Sequence, residues 1–183
     1  MNITHSWDTA IKAGKGRDAS VCLTFEQVEL LQPADKPAGL ETDAALGTGR
    51  LQHRLVDVWV GRVEYPDLKR QVMRMAARDN PHAILIEDKA SGQSLIQDLR
   101  RETSLPVIPI LPQGDKVTRL AQVSPMIEAG QVALPRHASW LAAFEQEILA
   151  FPNGAHDDQV DALSQYLNWA RQRQWDRIGI RRI

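Results

Sequence analysis

Carboxylates recur at three points along this 183-residue sequence. Asp8 closes the run ITHSWD, Glu87 and Asp88 follow the apolar run AILI, and Asp157, Asp158 and Asp161 cluster in NGAHDDQVDALSQYLNW at 153–169. Mg2+ and Mn2+ are hard ions that prefer oxygen ligands. Carboxylates can hold two of them roughly 3.5–4 Å apart, one activating water and the other stabilising a leaving oxygen. That is the chemistry of phosphodiester hydrolysis, and the ions would also offset the repulsion between an acidic site and DNA phosphates. Each acid alone is equally well a helix cap or a solvated strand end. The chemistry requires a fold that gathers them from distant parts of the chain.

The last cluster opens a helix. Val160, Leu163, Leu167 and Ala170 recur at three- and four-residue steps, and Asp157 or Asp158 stands where an N-cap is expected. At about 100° per residue, Asp157, Asp158 and Asp161 share a flank beside that apolar stripe. His156 reads as positioning the loop before the helix. Upstream, strands are expected at 3–8, 20–31 and 52–63, the latter two antiparallel if they form a hairpin. A long polar loop lies between them at 32–49. A helix at 66–80 turns Leu68, Val72, Met75 and Ala76 inward and stops at Asn80-Pro81. A buried strand at 83–86, a helix at 91–102 and a strand at 106–111 follow. A helix at 115–129 is kinked or split by Pro125, 131–134 is a short extended piece, and a helix spans 138–150. This order predicts an α/β domain, a mixed sheet of about five strands with helices on both faces. If the first and fourth strands are neighbours, Asp8 meets Glu87 at one sheet edge, where the last helix can bring its acids.

Composition sets the bounds. Hydrophobic residues make up 43% and charged residues 25%, ordinary for one globular domain over 1–183. A net charge of −1 leaves any anionic partner to local patches or to metal. The single cysteine, Cys22, reads as a small buried hydrophobe. The start, MNITHSWD, lacks the apolar segment of a signal peptide, and no apolar run is long enough to span a membrane. A cytoplasmic protein is expected.

Five ordered blocks carry a resemblance: SWDTAIKAGKGRDASVC at 6–22, LVDVWVGRVEYPDLKR at 55–70, ILIEDKASGQSLIQDLR at 84–100, LPVIPILPQGDKVTR at 105–119 and FPNGAHDDQVDALSQYL at 151–167. Together they resemble the C-terminal nuclease domain of phage terminase large subunits, a ribonuclease H-like fold. The resemblance covers nearly all of the chain except 32–49 and the arginine-rich tail at 172–183. It implies a metal-dependent endonuclease that cuts concatemeric phage DNA during genome packaging in a bacterial host. It assigns Asp8, Glu87 and Asp158 as the catalytic acids, with Asp88, Asp157 and Asp161 as close alternatives or supporting ligands of two Mg2+ or Mn2+ ions. It also implies double-stranded DNA, an upstream ATPase domain, a small terminase subunit and a portal as partners. No G-x-x-x-x-G-K-[ST] phosphate loop is present, since GKGR at 14–17 and GTGR at 47–50 lack its ending, so no ATP site is expected in this chain.

Lys12, Lys15, Arg17, Lys89, Lys116 and Arg119 are the basic side chains placed to track a DNA backbone. A solvated lysine or arginine is the competing reading for each. The tail reads as the disordered end of a helix in preference to a DNA-binding arm. Two other functions share parts of the pattern. A junction resolvase or transposase core of the same fold would use the same acids on branched or end-specific DNA. A non-catalytic docking module of a packaging motor would tolerate Asp158→Asn.

Overall fold

The structure, a computed structural model, describes residues 2–10, 19–30 and 50–177. The loop expected at 32–49 and the basic residues Lys12, Lys15 and Arg17 lie outside the described residues; of the tail expected to be disordered at 172–183, residues 172–177 instead continue the last helix, and the remainder lies outside the described residues. Among the described residues there are six strands: β1 (Asn2–Asp8), β2 (Ser20–Leu30), β3 (Arg50–Gly61), β4 (Ala83–Glu87), β5 (Val107–Ile110) and β6 (Val132–Ala133). The helices are α1 (Tyr65–Asp79), α2 (Ala90–Glu102), α3 (Lys116–Ala121), α4 (Ser124–Glu128), α5 (Leu141–Ala150) and α6 (Asp158–Arg177).

The sheet order is β5-β4-β1-β2-β3-β6. The meander β1–β2–β3 is antiparallel, whereas β4 lies parallel to β1, β5 parallel to β4, and β6 parallel to β3. The short piece at 131–134 is thus a sixth strand, which a two-residue pairing (His53 with Val132, Arg54 with Ala133) makes hard to see as a hydrophobic period. The helix expected over 115–129 is split. It breaks at Gln122-Val123, and Pro125 falls in the first turn of α4, where its missing N–H costs nothing.

Strand alternation sorts the core into two layers. Trp7, Cys22, Ile84 and Ile86 face α1 and α2, against Leu68, Val72, Met75, Leu95 and Leu99. Val21, Leu23, Phe25, Leu55, Ala83 and Leu85 face α6, with Val123, Met126 and Phe144 closing the outer side. The inward stripe expected for α1 is the one buried, and α1 ends where Asn80 adopts φ 46° and returns its N–H to Ala76 O at 2.9 Å. From Gln159 to Leu167 every residue of α6 is buried. It is a central helix, covered by the sheet on one side and by α3–α5 on the other.

Two contacts fix α6 along its length. Phe25 and Tyr166 stack at 3.8 Å between ring centroids, and the Tyr166 hydroxyl pairs with His53 Nδ1 at 2.9 Å. Burial pushes the His53 imidazole down to about 4, so it stays neutral in that pair at physiological pH. Nearer its start, α6 is locked to β1. Ser6 Oγ donates to Ala162 O at 2.8 Å, and Gln165 Nε2 donates to Ser6 Oγ at 2.9 Å and to Trp7 O at 3.2 Å.

Candidate active site

The parallel register of β1 and β4 runs Thr4 with Ala83 through Trp7 with Ile86, so Asp8 and Glu87 terminate adjacent strands at the same level. Ser6 reaches α6 and Leu85 packs in the α6 layer; by alternation Asp8 and Glu87 point to that layer too. The N-terminus of α6 stands over this edge. Burial raises the Asp8 carboxyl, and the charges of Asp161, Glu87 and Asp158 raise it further, to about 8. Three acids from two distant parts of the chain therefore bear on one half-buried carboxyl.

Cations stand among these acids. Lys116 Nζ lies 2.7 Å from Asp157 Oδ1 and 2.8 Å from Asp161 Oδ2. Arg119 Nη2 donates to Asp161 Oδ1 at 2.7 Å, and its Nη1 lies 3.6 Å from Glu87 Oε2. Lys89 Nζ lies 3.3 Å from Glu87 Oε1. Burial opposes the charge on Lys116, but its hydrogen bonds to Asp157 and Asp161 hold the ammonium above its usual range. Burial likewise raises the Asp161 carboxyl, with the bond to Lys116 pulling the other way.

Asp8, Glu87, Asp158 and Asp161 thus come together, and Asp157 joins them through Lys116. The Asp88 N–H continues the sheet ladder, donating to Ile110 O at 2.8 Å. His156 is exposed on the loop before α6. Lys116 and Arg119 both face the acids, Arg119 only 9% exposed. Among the described residues, no three acid, histidine or cysteine side chains are drawn close enough to grip one ion. The donor chemistry nevertheless fits a hard divalent cation. The donors are all carboxylates, and the half-buried one at their centre is held protonated mainly by burial and the charge of its neighbours.

Several positioning residues have little sequence signal. Asp157 does not cap α6 with its side chain. The Glu147 carboxylate takes that place, accepting from Gln159 N at 2.6 Å and from Gln159 Nε2 at 2.5 Å. Gly92, in the first turn of α2, lies so near Glu87 that a β-carbon on it would sit 1.9 Å from the Glu87 carbonyl oxygen. The available signal was a glycine inside an amphipathic helix, which costs about 1 kcal/mol against alanine without a packing reason. Gln165 belongs to a polar row at helical spacing beside the apolar stripe, with buried Asp161 on one side and half-buried Asn168 on the other.

Residues 54–169, more than half of the chain, match the terminase RNaseH-like domain. The chain belongs to that family. Among solved structures, this terminase-type domain is similar to T. thermophilus RuvC in complex with Holliday junction substrate, with a TM-score of 0.50 and 12% identity. The similarity covers 97% of this chain and 96% of that one, and it shows a shared ribonuclease H-like fold. No curated protein matches the chain at a significant level. Among the described residues, no helix of the domain is long and apolar enough to cross a membrane.

Proposed function

We propose that this domain is a divalent-metal-dependent DNA endonuclease that cuts concatemeric phage DNA during genome packaging. The observation that carries the reading is the convergence of Glu87, Asp158 and Asp161 on Asp8 at the end of the central strands. Asp8, Glu87 and Asp158 are the residues that would hold Mg2+ or Mn2+, supported by Asp157 and Asp161. When bound, the two ions supply an activated water and charge stabilisation of the leaving oxygen.

The chain's own residues do the rest. Gln165 holds the end of β1, and so Asp8, against α6. Arg119 ties Glu87 to Asp161, which keeps the strand-end and helix acids in register. Lys89 and Lys116, both well exposed, supply positive charge at the rim for a phosphate backbone. The acids act on the phosphodiester and read no bases, so cleavage is expected to have little sequence preference. The upstream ATPase domain, the small subunit and the portal, in the cytoplasm of a bacterial host, would deliver the DNA.

Plasmid nicking tests this reading. Supercoiled DNA is incubated with the protein in Mn2+, Mg2+ or EDTA, beside Asp8→Asn and Asp158→Asn. Metal-dependent nicking lost in both variants is the expected result. Nicking that survives in both variants, or that persists in EDTA, would overturn it. A four-way junction run in parallel separates the two nuclease readings, because exclusive cutting of the junction would favour a resolvase.

A further inference from the structure

The two α3 cations that meet Asp161 are held differently. Arg119 is buried, its guanidinium donates to Asp161, and its carbonyl accepts from Asn168 Nδ2 at 3.0 Å, so it is built into the contact between α3 and α6. Lys116 is the first residue of α3, and its side chain is 45% exposed. The turn before it is fixed without it. Gly114 takes φ 78°, and the Asp115 carboxylate caps α3 by accepting from Thr118 N at 2.8 Å and Thr118 Oγ1 at 3.0 Å. The ammonium therefore rests on Asp157 and Asp161 at the end of a flexible four-carbon stem, from a backbone that does not depend on that contact. The pair with Asp157 joins two exposed side chains and contributes little stability, and the buried Asp161 carboxylate keeps its bond to Arg119 when the ammonium leaves.

We propose that Lys116 is an internal counter-ion that competes with the divalent cation for Asp157 and Asp161 and leaves them for a DNA phosphate, coupling DNA binding to metal loading. The inference rests on the nuclease reading above. Without DNA, one monovalent charge shields the two helix acids and weakens metal binding. With DNA, the same ammonium has a phosphate to neutralise and the carboxylates are released. Coupling between two ligands is reciprocal, so bound metal raises DNA affinity by the factor by which DNA raises metal affinity.

The test uses two binding measurements and no cleavage. Mn2+ is titrated calorimetrically into DNA-free wild type, Lys116→Met, Lys116→Arg and Asp8→Asn, after circular dichroism has shown each to be folded. Separately, the affinity of a labelled duplex is read by anisotropy in Ca2+ and in EDTA. Lys116→Met is expected to bind Mn2+ about tenfold more tightly than wild type, within the usual range of coupling factors. The gain in DNA affinity on adding Ca2+ is expected to shrink in Lys116→Met by a comparable factor, while Lys116→Arg keeps the wild-type pattern. Tighter Mn2+ binding with an undiminished gain would overturn the exchange, since Lys116 would then be a fixed repelling charge. Unchanged or weaker Mn2+ binding would overturn it as well. Mn2+ binding that is absent in wild type, or unaffected by Asp8→Asn, would defeat the nuclease reading itself.

Discussion

Gly92 stands against the backbone of Glu87 so closely that α2 could not begin where it does with any side chain at that position. The contact is with a carbonyl oxygen, which cannot rotate away. Gly92→Ala must therefore push apart the start of α2 and the end of β4, and Glu87 moves with the strand. The variant is expected to lose about 1–3 kcal/mol of stability. Its nicking rate should fall by about 100-fold, the scale associated with a 1 Å misplacement. Thermal unfolding and nicking measured together check this, and an undiminished rate would show that Glu87 is not held by this contact.

Asp8 gives the domain an unusual pH dependence. Its carboxyl is held at about 8 in the folded protein against an ordinary 3.8. Between those values the folded state retains a proton that the unfolded chain has lost. Stability therefore falls as pH rises from about 4 to about 8, and the loss is complete above that window. Asp8→Asn removes the titration. In EDTA the variant should exceed wild type by ~1–4 kcal/mol at pH 8, with the difference closing toward pH 4. Urea unfolding at the two pH values measures it, and a pH-independent difference would contradict the raised Asp8 carboxyl.

Arg119 is a different case, because its nearest partner, Asp161, is buried too. Arg119→Met leaves the Asp161 carboxylate, 6% exposed, without the guanidinium that meets it. Breaking one side of a buried pair typically costs 3–5 kcal/mol; with Lys116 still bound to Asp161, a loss of about 3 kcal/mol is expected. A urea midpoint equal to that of wild type would mean that the bond between Arg119 and Asp161 has no net value.

Gln165 ties the last helix to the strand that carries Asp8. Gln165→Leu keeps the volume but removes the donor to the Trp7 carbonyl and to the Ser6 hydroxyl, which keeps only its bond to Ala162 O, an expected cost of about 1–3 kcal/mol. Nicking should slow about tenfold, whereas Ser164→Ala, which removes only a bond inside α6, should leave the rate intact. Equal rates in the two variants would remove Gln165 from the positioning machinery.

The elements were legible because their periods were strong. The stripe Leu68, Val72, Met75 and Ala76 could only belong to a helix, and AILI followed by two acids could only be a short buried strand. The meeting of Asp8 with Glu87 was not legible in this way. It depends on β4 crossing over to pair with β1, which no local period encodes; the family resemblance pointed to the acids. Polar residues were misread where the reading treated charge as surface. Arg119, at 9% exposure, faces carboxylates that lie 42 positions away in Asp161 and on a different strand in Glu87, and no window of sequence contains both. The capping of α6 by Glu147 was missed because the cap comes from a neighbouring helix rather than from the preceding residue.

Because α6 follows every strand in the chain, the order of synthesis matters. A polypeptide translated only as far as α5 has made the sheet residues Asp8 and Glu87 but none of the three aspartates at 157–161. Its polar anchor for Ser6 and its stacking partner for Phe25 are also missing. The helix carboxylates and the final closure of the core therefore arrive together, in the same stretch of chain. A chain that stops before α6 lacks both those acids and much of the buried layer that would keep it folded.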